Sequence, residues 1–225
     1  MLLSHGFSLT SEMWDQQLPF FSAQNQVVTW DMRGHGDSSY PESPSDYSED
    51  LAVSDMAALL DTVGADTAII GGLSLGGYLS LSFYAAHPER CRALMLFDTG
   101  PGFRRDDARA QWNERCRKQG DRLEADGLRE THYPGTHRNA IGLAHVAREM
   151  MTQSDDRVMR ILPEIKVPVL IVLGANDTPF LGAANYMEKK IPNATKVVIP
   201  DAGHVSNIDQ PEAFTAAVQD FLTKL

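Results

Sequence analysis

The sequence has little cysteine, no long apolar run and no clustering of basic charge, and each shortage removes a class of function. Two cysteines, Cys91 and Cys116, stand in 225 residues without metal-ligating neighbours. They are expected as free thiols in a reducing compartment rather than as a bridge. The longest apolar stretches, such as residues 167–173 with its internal proline, fall far short of the roughly 20 residues of a membrane helix. Lysine and arginine total 20 against 30 acidic residues, a formal net charge of −10, and they are scattered instead of forming a stripe. That pattern argues against a nucleic-acid partner. Met1-Leu2-Leu3 is too short for a signal-peptide core and no basic segment precedes it, so no export signal is read and a soluble, cytoplasmic protein is expected. There is no internal repeat and no low-complexity linker. The length suits one domain, with room for an insertion.

What is present is an alternation of apolar strands and amphipathic helices. Strands are expected at residues 1–3, 26–30, 68–70, 93–97, 169–173 and 196–199, and helices at 50–63, 75–86, 181–190 and 211–222. The helix over 50–63 places Leu51, Met56, Leu59, Leu60 and Val63 on one face. Continuous apolar strands separated by helices predict an α/β fold, a mostly parallel sheet with helices on both faces. Residues 100–163 break the pattern: they are charged, read as helical and hold no convincing strand. The expected organisation is a core of residues 1–99 and 164–225 with a helical lid insertion at 100–163.

The chemistry centres on Gly71-Gly72-Leu73-Ser74-Leu75-Gly76-Gly77, a G-x-S-x-G sequence between an expected strand and an expected helix. A serine on so sharp a turn needs small residues two before and two after it, which Gly72 and Gly76 supply. The N-terminus of the following helix suits a developing oxyanion. A serine hydroxyl also needs a base and a group to orient that base. Asp177, in Gly174-Ala175-Asn176-Asp177, and His204, in Asp201-Ala202-Gly203-His204, each follow an apolar strand, at the sheet edge where open α/β folds bind ligands. Asp98, directly after the strand at 93–97, is the alternative position for the acid.

Together His5-Gly6-Phe7, the run from Asp31 through Arg33-Gly34-His35-Gly36 to Ser38, the turn at Ser74, Asp177 and Gly203-His204 resemble the α/β-hydrolase fold over nearly the whole chain outside the insertion. The resemblance implies a Ser74-His204-Asp177 triad and an oxyanion hole formed by the backbone N–H groups of Phe7 and Leu75. It implies structural roles for His5 and His35. It also implies that the chain begins where the third sheet strand of the family is ending, without the two strands that usually precede it. An uncovered sheet edge and a possible homodimer along it follow as expectations.

Serine at the turn, where dehalogenases and epoxide hydrolases of this fold carry aspartate, points to acyl transfer to water without metal or organic cofactor. Phe103, Trp112, Met151, Phe180 and Val205 are expected to bind substrate, with Phe7, Leu75 and Met150 beside them. A small or medium ester substrate ranks first. Gly-Leu-Ser-Leu-Gly-Gly and Met13-Trp14-Asp15 are similar to enol-lactonases and small carboxylesterases, so a lactone ranks second. Carbon–carbon bond hydrolases and the synthases of menaquinone biosynthesis rank third, favoured if Arg104 and Arg105 bind a substrate carboxylate. His132, His137 and His145 lack metal-like spacing and read as surface or lid residues. A non-catalytic binding protein of the same fold is the contrasting possibility.

Overall fold

A computed structural model of the chain describes residues 1–130 and 136–225. The strands β1 (Leu2–Ser4), β2 (Val28–Trp30), β3 (Ala68–Leu73), β4 (Cys91–Phe97), β5 (Val169–Gly174) and β6 (Ala194–Ile199) form one sheet in the order β2-β1-β3-β4-β5-β6, with every pair parallel. The helices are α1 (Leu18–Phe21), α2 (Glu49–Thr62), α3 (Leu75–Ala86), α4 (Asp106–Asp126), α5 (Ala140–His145), α6 (Arg157–Ile161), α7 (Thr178–Lys190), α8 (Ser206–Asp209) and α9 (Pro211–Leu222). β3 and β5 are buried along their whole length, as a parallel sheet covered on both faces requires. The sheet edges are β2 and β6, where burial is only partial.

Side chains alternate between two cores, because successive strand residues point to opposite faces. Ile70, Leu94, Leu96, Val169 and Ile171 meet α2, α3 and α7 through Met56, Leu60, Leu79, Phe83 and Met187. Ile69, Met95, Phe97, Leu170 and Val172 face the other side, where Trp14, Phe214 and Phe221 pack. There Phe97 sits 5.8 Å from Trp14 and 4.8 Å, edge to face, from Phe214. Each such fully buried large side chain contributes roughly 1.5–3 kcal/mol of transfer free energy. The Trp14 turn is thereby fixed against the final helix.

Local signals explain the helix ends. The Ser48 hydroxyl oxygen accepts the Leu51 N–H at 3.1 Å, and Glu49 and Asp50 occupy the first turn of α2, which suits its positive end. Its buried face runs through Ala52, Val53, Met56 and Leu60. The Leu51, Leu59 and Val63 positions expected on that face are only half-buried. α7 starts three residues earlier than its apolar pattern implies, with Pro179 in its first turn, a position that needs no intrahelical donor.

Between β4 and β5 the chain forms no strand among its described residues. α4 packs on α5 and on a wide helical turn at Val146–Met150. Arg148 ties this pair from outside, bridging Asp121 at 2.7 Å and Glu124 at 2.5 Å. Both cysteines are buried and free.

Candidate active site

Ser74 lies between the last residue of β3 and the first of α3, with φ 54° and ψ −112°. Few non-glycine residues adopt this conformation, at a cost of order 1–3 kcal/mol, and the surroundings enforce it. A Cβ on Gly72 would stand 2.4 Å from the Gly76 carbonyl carbon, and one on Gly76 would stand 2.3 Å from the Ser4 carbonyl oxygen. The spacing of small residues is thus a steric consequence of β3, α3 and β1 converging behind the serine.

The three side chains expected as a triad lie in one hydrogen-bonded line. Ser74 Oγ–H donates to His204 Nε2 at 2.9 Å, and His204 Nδ1–H donates to Asp177 Oδ2 at 2.9 Å. This arrangement fixes the imidazole tautomer. Asp177 is buried just past β5, and His204 follows β6 in a half-buried turn. The Phe180 ring stacks on the imidazole, with centroids 4.9 Å apart and planes 23° apart. Burial pulls the His204 pKa down, but the Asp177 hydrogen bond and charge outweigh it and hold the value above the ordinary 6.5.

Asp98, the alternative acid, does not contact His204 through a hydrogen bond. Its fully buried carboxylate accepts Gly174 N–H at 2.8 Å, Ser206 N–H at 3.3 Å and Ser206 Oγ–H at 2.5 Å. It joins the two loops that carry Asp177 and His204. Burial pushes its pKa up to about 7, against the pull of the Ser206 and Gly174 hydrogen bonds.

The Phe7 and Leu75 N–H groups are set by what grips the carbonyl on the other side of each peptide. Gly6 O accepts His5 Nδ1–H at 2.7 Å and Leu9 N–H at 3.1 Å. Ser74 O accepts Thr99 Oγ1–H at 2.6 Å and Tyr78 N–H at 3.0 Å. Because a peptide is planar and trans, each pinned carbonyl directs the opposite N–H the other way. Neither N–H donates to an acceptor among the described residues.

A cavity of about 360 Å³ opens beside Ser74. Of the candidate pocket residues Leu75, Phe103, Trp112, Met151 and Phe180 line it, and so do Tyr78, Thr99, Arg115, Gln153, Pro179 and Ala183. Val205 does not. It is fully buried in the second core with Trp14, Phe97 and Phe214, since the chain turns its side chain inward as α8 begins. Met150 is buried in the first core, and Phe7 packs edge-on to His35 at 5.9 Å, away from the cavity lining. Arg104 and Arg105 are also outside the cavity, with Arg105 paired to Asp107 at the surface. Among the described residues the only charged side chain in the wall is Arg115. It lies three residues after Trp112 on α4, the same helix face, a spacing visible in the sequence. Thr99 was not singled out from the sequence; the signal available was its place one residue beyond Asp98, at the strand's carboxyl end.

His5 and His35 serve as backbone acceptors. His5 Nε2 accepts Met32 N–H at 3.0 Å, and His35 Nε2 accepts Ser8 N–H at 3.2 Å. Burial draws the His5 pKa down to about 4 and that of His35 well below 6.5. His137, read as a surface or lid residue, is buried against His35 with ring centroids 5.5 Å apart. His145 packs against Tyr47 with ring centroids 5.2 Å apart and planes tilted by 46°, and His132 lies outside the described residues.

A provisionally assigned 2-succinyl-6-hydroxy-2,4-cyclohexadiene-1-carboxylate synthase of Bacillus subtilis (strain 168) is 31% identical to this chain, over 98% of the chain and 89% of its own length. The 3-oxoadipate enol-lactonase 2 of Acinetobacter baylyi is 29% identical, over 97% and 86% respectively. The structure of a thermophilic esterase from Thermogutta terrifontis, solved with malate bound, superposes with a TM-score of 0.83 at 26% identity, covering 99% of this chain and 89% of that one. The profile of the alpha/beta hydrolase family matches residues 1–217, and the chain belongs to that family.

Proposed function

We propose that the protein is a serine hydrolase that cleaves small to medium carboxylic esters through an acyl-enzyme. His204 takes the Ser74 proton as Ser74 Oγ attacks the ester carbonyl. The N–H groups of Phe7 and Leu75 hold the oxyanion, and Asp177 keeps the His204 tautomer and stabilises its charged form. Collapse of the tetrahedral adduct expels the alcohol, which takes the proton from His204, and water then releases the acid by the same route. The single observation that carries this reading is the Ser74–His204–Asp177 line, 2.9 Å at each step, opening on an apolar cavity. No step requires a metal or an organic cofactor.

At about 360 Å³ the cavity is near the small end of ligand sites, roughly 300–1,000 Å³, which suits short acyl chains. Residues 100–163 act as a lid over the core of residues 1–99 and 164–225, supplying Phe103, Trp112, Arg115, Met151 and Gln153 to the cavity wall. The compartment we assign is the cytoplasm.

Arg115 favours a second reading. It is the one charge in the cavity wall among the described residues, and its neighbour Glu114 pairs instead with Lys118 at 3.4 Å and Arg117 at 4.0 Å. A guanidinium with no ion-pair partner among the described residues suits a substrate that carries its own carboxylate. The enol-lactonase and carboxylate-synthase names of the relatives agree with that chemistry. A lactonase of the enol-lactone type is therefore the alternative reading, followed by a carbon–carbon bond hydrolase.

The test is turnover of p-nitrophenyl esters from acetate to decanoate, with an enol-lactone alongside, by wild type and Ser74→Ala. Short esters hydrolysed by the wild type and spared by Ser74→Ala support the proposal. Lactone turnover exceeding that of every ester moves the assignment to lactonase. Absence of turnover leaves a non-catalytic binding protein.

A further inference from the structure

The segment between β4 and β5 packs Leu123, Leu143 and Ala144 against Phe7 and sends one buried polar side chain, His137, to the turn that carries it. His137 Nε2–H donates to the Ser8 carbonyl oxygen at 3.1 Å, and its Nδ1 accepts the Gly36 N–H at 3.2 Å. Ser8 is the residue after Phe7 and has φ 58°. A non-glycine residue keeps a left-handed conformation only where its surroundings hold it. Two imidazoles do so here: His35 Nε2 takes the Ser8 N–H, and His137 takes the Ser8 C=O. His5 stands next to His35, with ring centroids 4.7 Å apart, and pins the Gly6 carbonyl on the other side of Phe7. Every peptide group from Gly6 to Ser8 is therefore gripped by a histidine, and only His137 comes from the segment that walls the cavity.

We infer that His137 is a positioning residue, tying the cavity wall to the oxyanion turn so that the Phe7 N–H is aimed at the reacting carbonyl when that segment is docked. The inference rests on the serine-hydrolase reading. Without His137, Ser8 loses one of the two bonds that hold its left-handed conformation. Relaxation to negative φ turns the Ser8–Leu9 peptide, whose Leu9 N–H is the second donor on the Gly6 carbonyl, and so displaces the Phe7 N–H on the other side of the Gly6–Phe7 peptide. Cavity-lining side chains stay in place, so the loss falls on the transition state more than on substrate binding.

The experiment compares His137→Phe, His137→Asn and His137→Gln on a p-nitrophenyl ester that the wild type hydrolyses. An alkyl trifluoromethyl ketone serves as a second probe. Ser74 Oγ adds to its carbonyl and passes its proton to His204, leaving a hemiketal oxyanion that needs the two N–H groups. His137→Phe should lower kcat roughly 10- to 100-fold, with KM within about threefold, and weaken the ketone by the same factor. Gln, whose amide nitrogen reaches the place of Nε2, should recover most of the loss. Asn reaches only the place of Nδ1 and should not. Unchanged kcat and ketone affinity in a folded His137→Phe, or equal kcat in the Gln and Asn variants where Phe does not fold, overturns the inference. Wild-type inactivity, or turnover that survives Ser74→Ala, strikes the hydrolase reading instead. Amide exchange at Ser8 then decides the contact by itself: faster exchange in the variants supports it, and unchanged exchange overturns it.

Discussion

The Thr99 hydroxyl donates to the Ser74 carbonyl oxygen at 2.6 Å, so a residue two positions past β4 determines which way the Leu75 N–H faces. The strand that runs beside β3 thereby sets a donor on the turn beyond it.

Thr99→Val keeps the shape and removes the donor. A net hydrogen bond of about 1 kcal/mol corresponds to roughly a fivefold loss of kcat, with KM little changed. Thr99→Ser should restore the rate, and steady-state kinetics on one short ester decides.

The two candidate acids are separable by mutation. Asp177→Asn removes the acceptor that fixes the His204 tautomer, and kcat should fall by about 10⁴. Asp98 bonds to Gly174 and Ser206 and not to His204. Asp98→Asn should mainly destabilise, by about 1–3 kcal/mol, while kcat of the folded enzyme stays far above that of Asp177→Asn. Urea melts and kinetics on both variants make the comparison.

His204 must be neutral to accept the Ser74 proton. Its pKa is held above 6.5, so the rising limb of kcat/KM should have its midpoint above pH 6.5. The stability it contributes is full below 6.5 and is lost as pH rises through the folded value. His5 and His35 have depressed values, His5 at about 4. Their contribution is present above 6.5 and is lost as pH falls toward 4. Asp98, raised to about 7, works against them on acidification. In Asp98→Asn that opposition is gone, and Tm should drop as pH falls from 6.5 to 4; a flat or rising Tm contradicts the histidine assignment.

Arg115→Gln tests the charge in the cavity wall. For mono-p-nitrophenyl glutarate, KM should rise about tenfold, the worth of one hydrogen bond to a charged group. For neutral p-nitrophenyl butyrate, KM should stay within about twofold. Equal effects on both esters would remove the carboxylate subsite.

Gly76→Ala places a Cβ 2.3 Å from the Ser4 carbonyl oxygen, where the first turn of α3 meets the end of β1. Overpacking of this kind costs about 1–3 kcal/mol. A shift in the urea midpoint measures it, and activity per folded molecule should fall as Ser74 is displaced.

The long elements were legible because their signals are local. α3 and α9 begin and end where the apolar pattern and Pro88 and Pro211 place them. Ser74, Asp177 and His204 were legible because each lies in the turn that follows a strand, and parallel strands bring such turns to one edge. Val205 was misjudged for the same local reason. Adjacency to His204 in sequence says nothing of which way the next side chain turns, and Val205 turns into the core. Arg104 and Arg105 are near the cavity in sequence only.

What the sequence determined by itself was the parallel sheet, the strained serine turn and the order of the three polar side chains, since periodicity, glycine spacing and strand ends are properties of neighbouring residues. Only the tertiary structure decided that Arg115 stands in the cavity wall, that Thr99 pins the Ser74 carbonyl and that His137 reaches Ser8 across 129 positions. Those contacts join segments far apart in the chain, and they exist only once packing has fixed how α4 and the turns beyond it sit against the sheet.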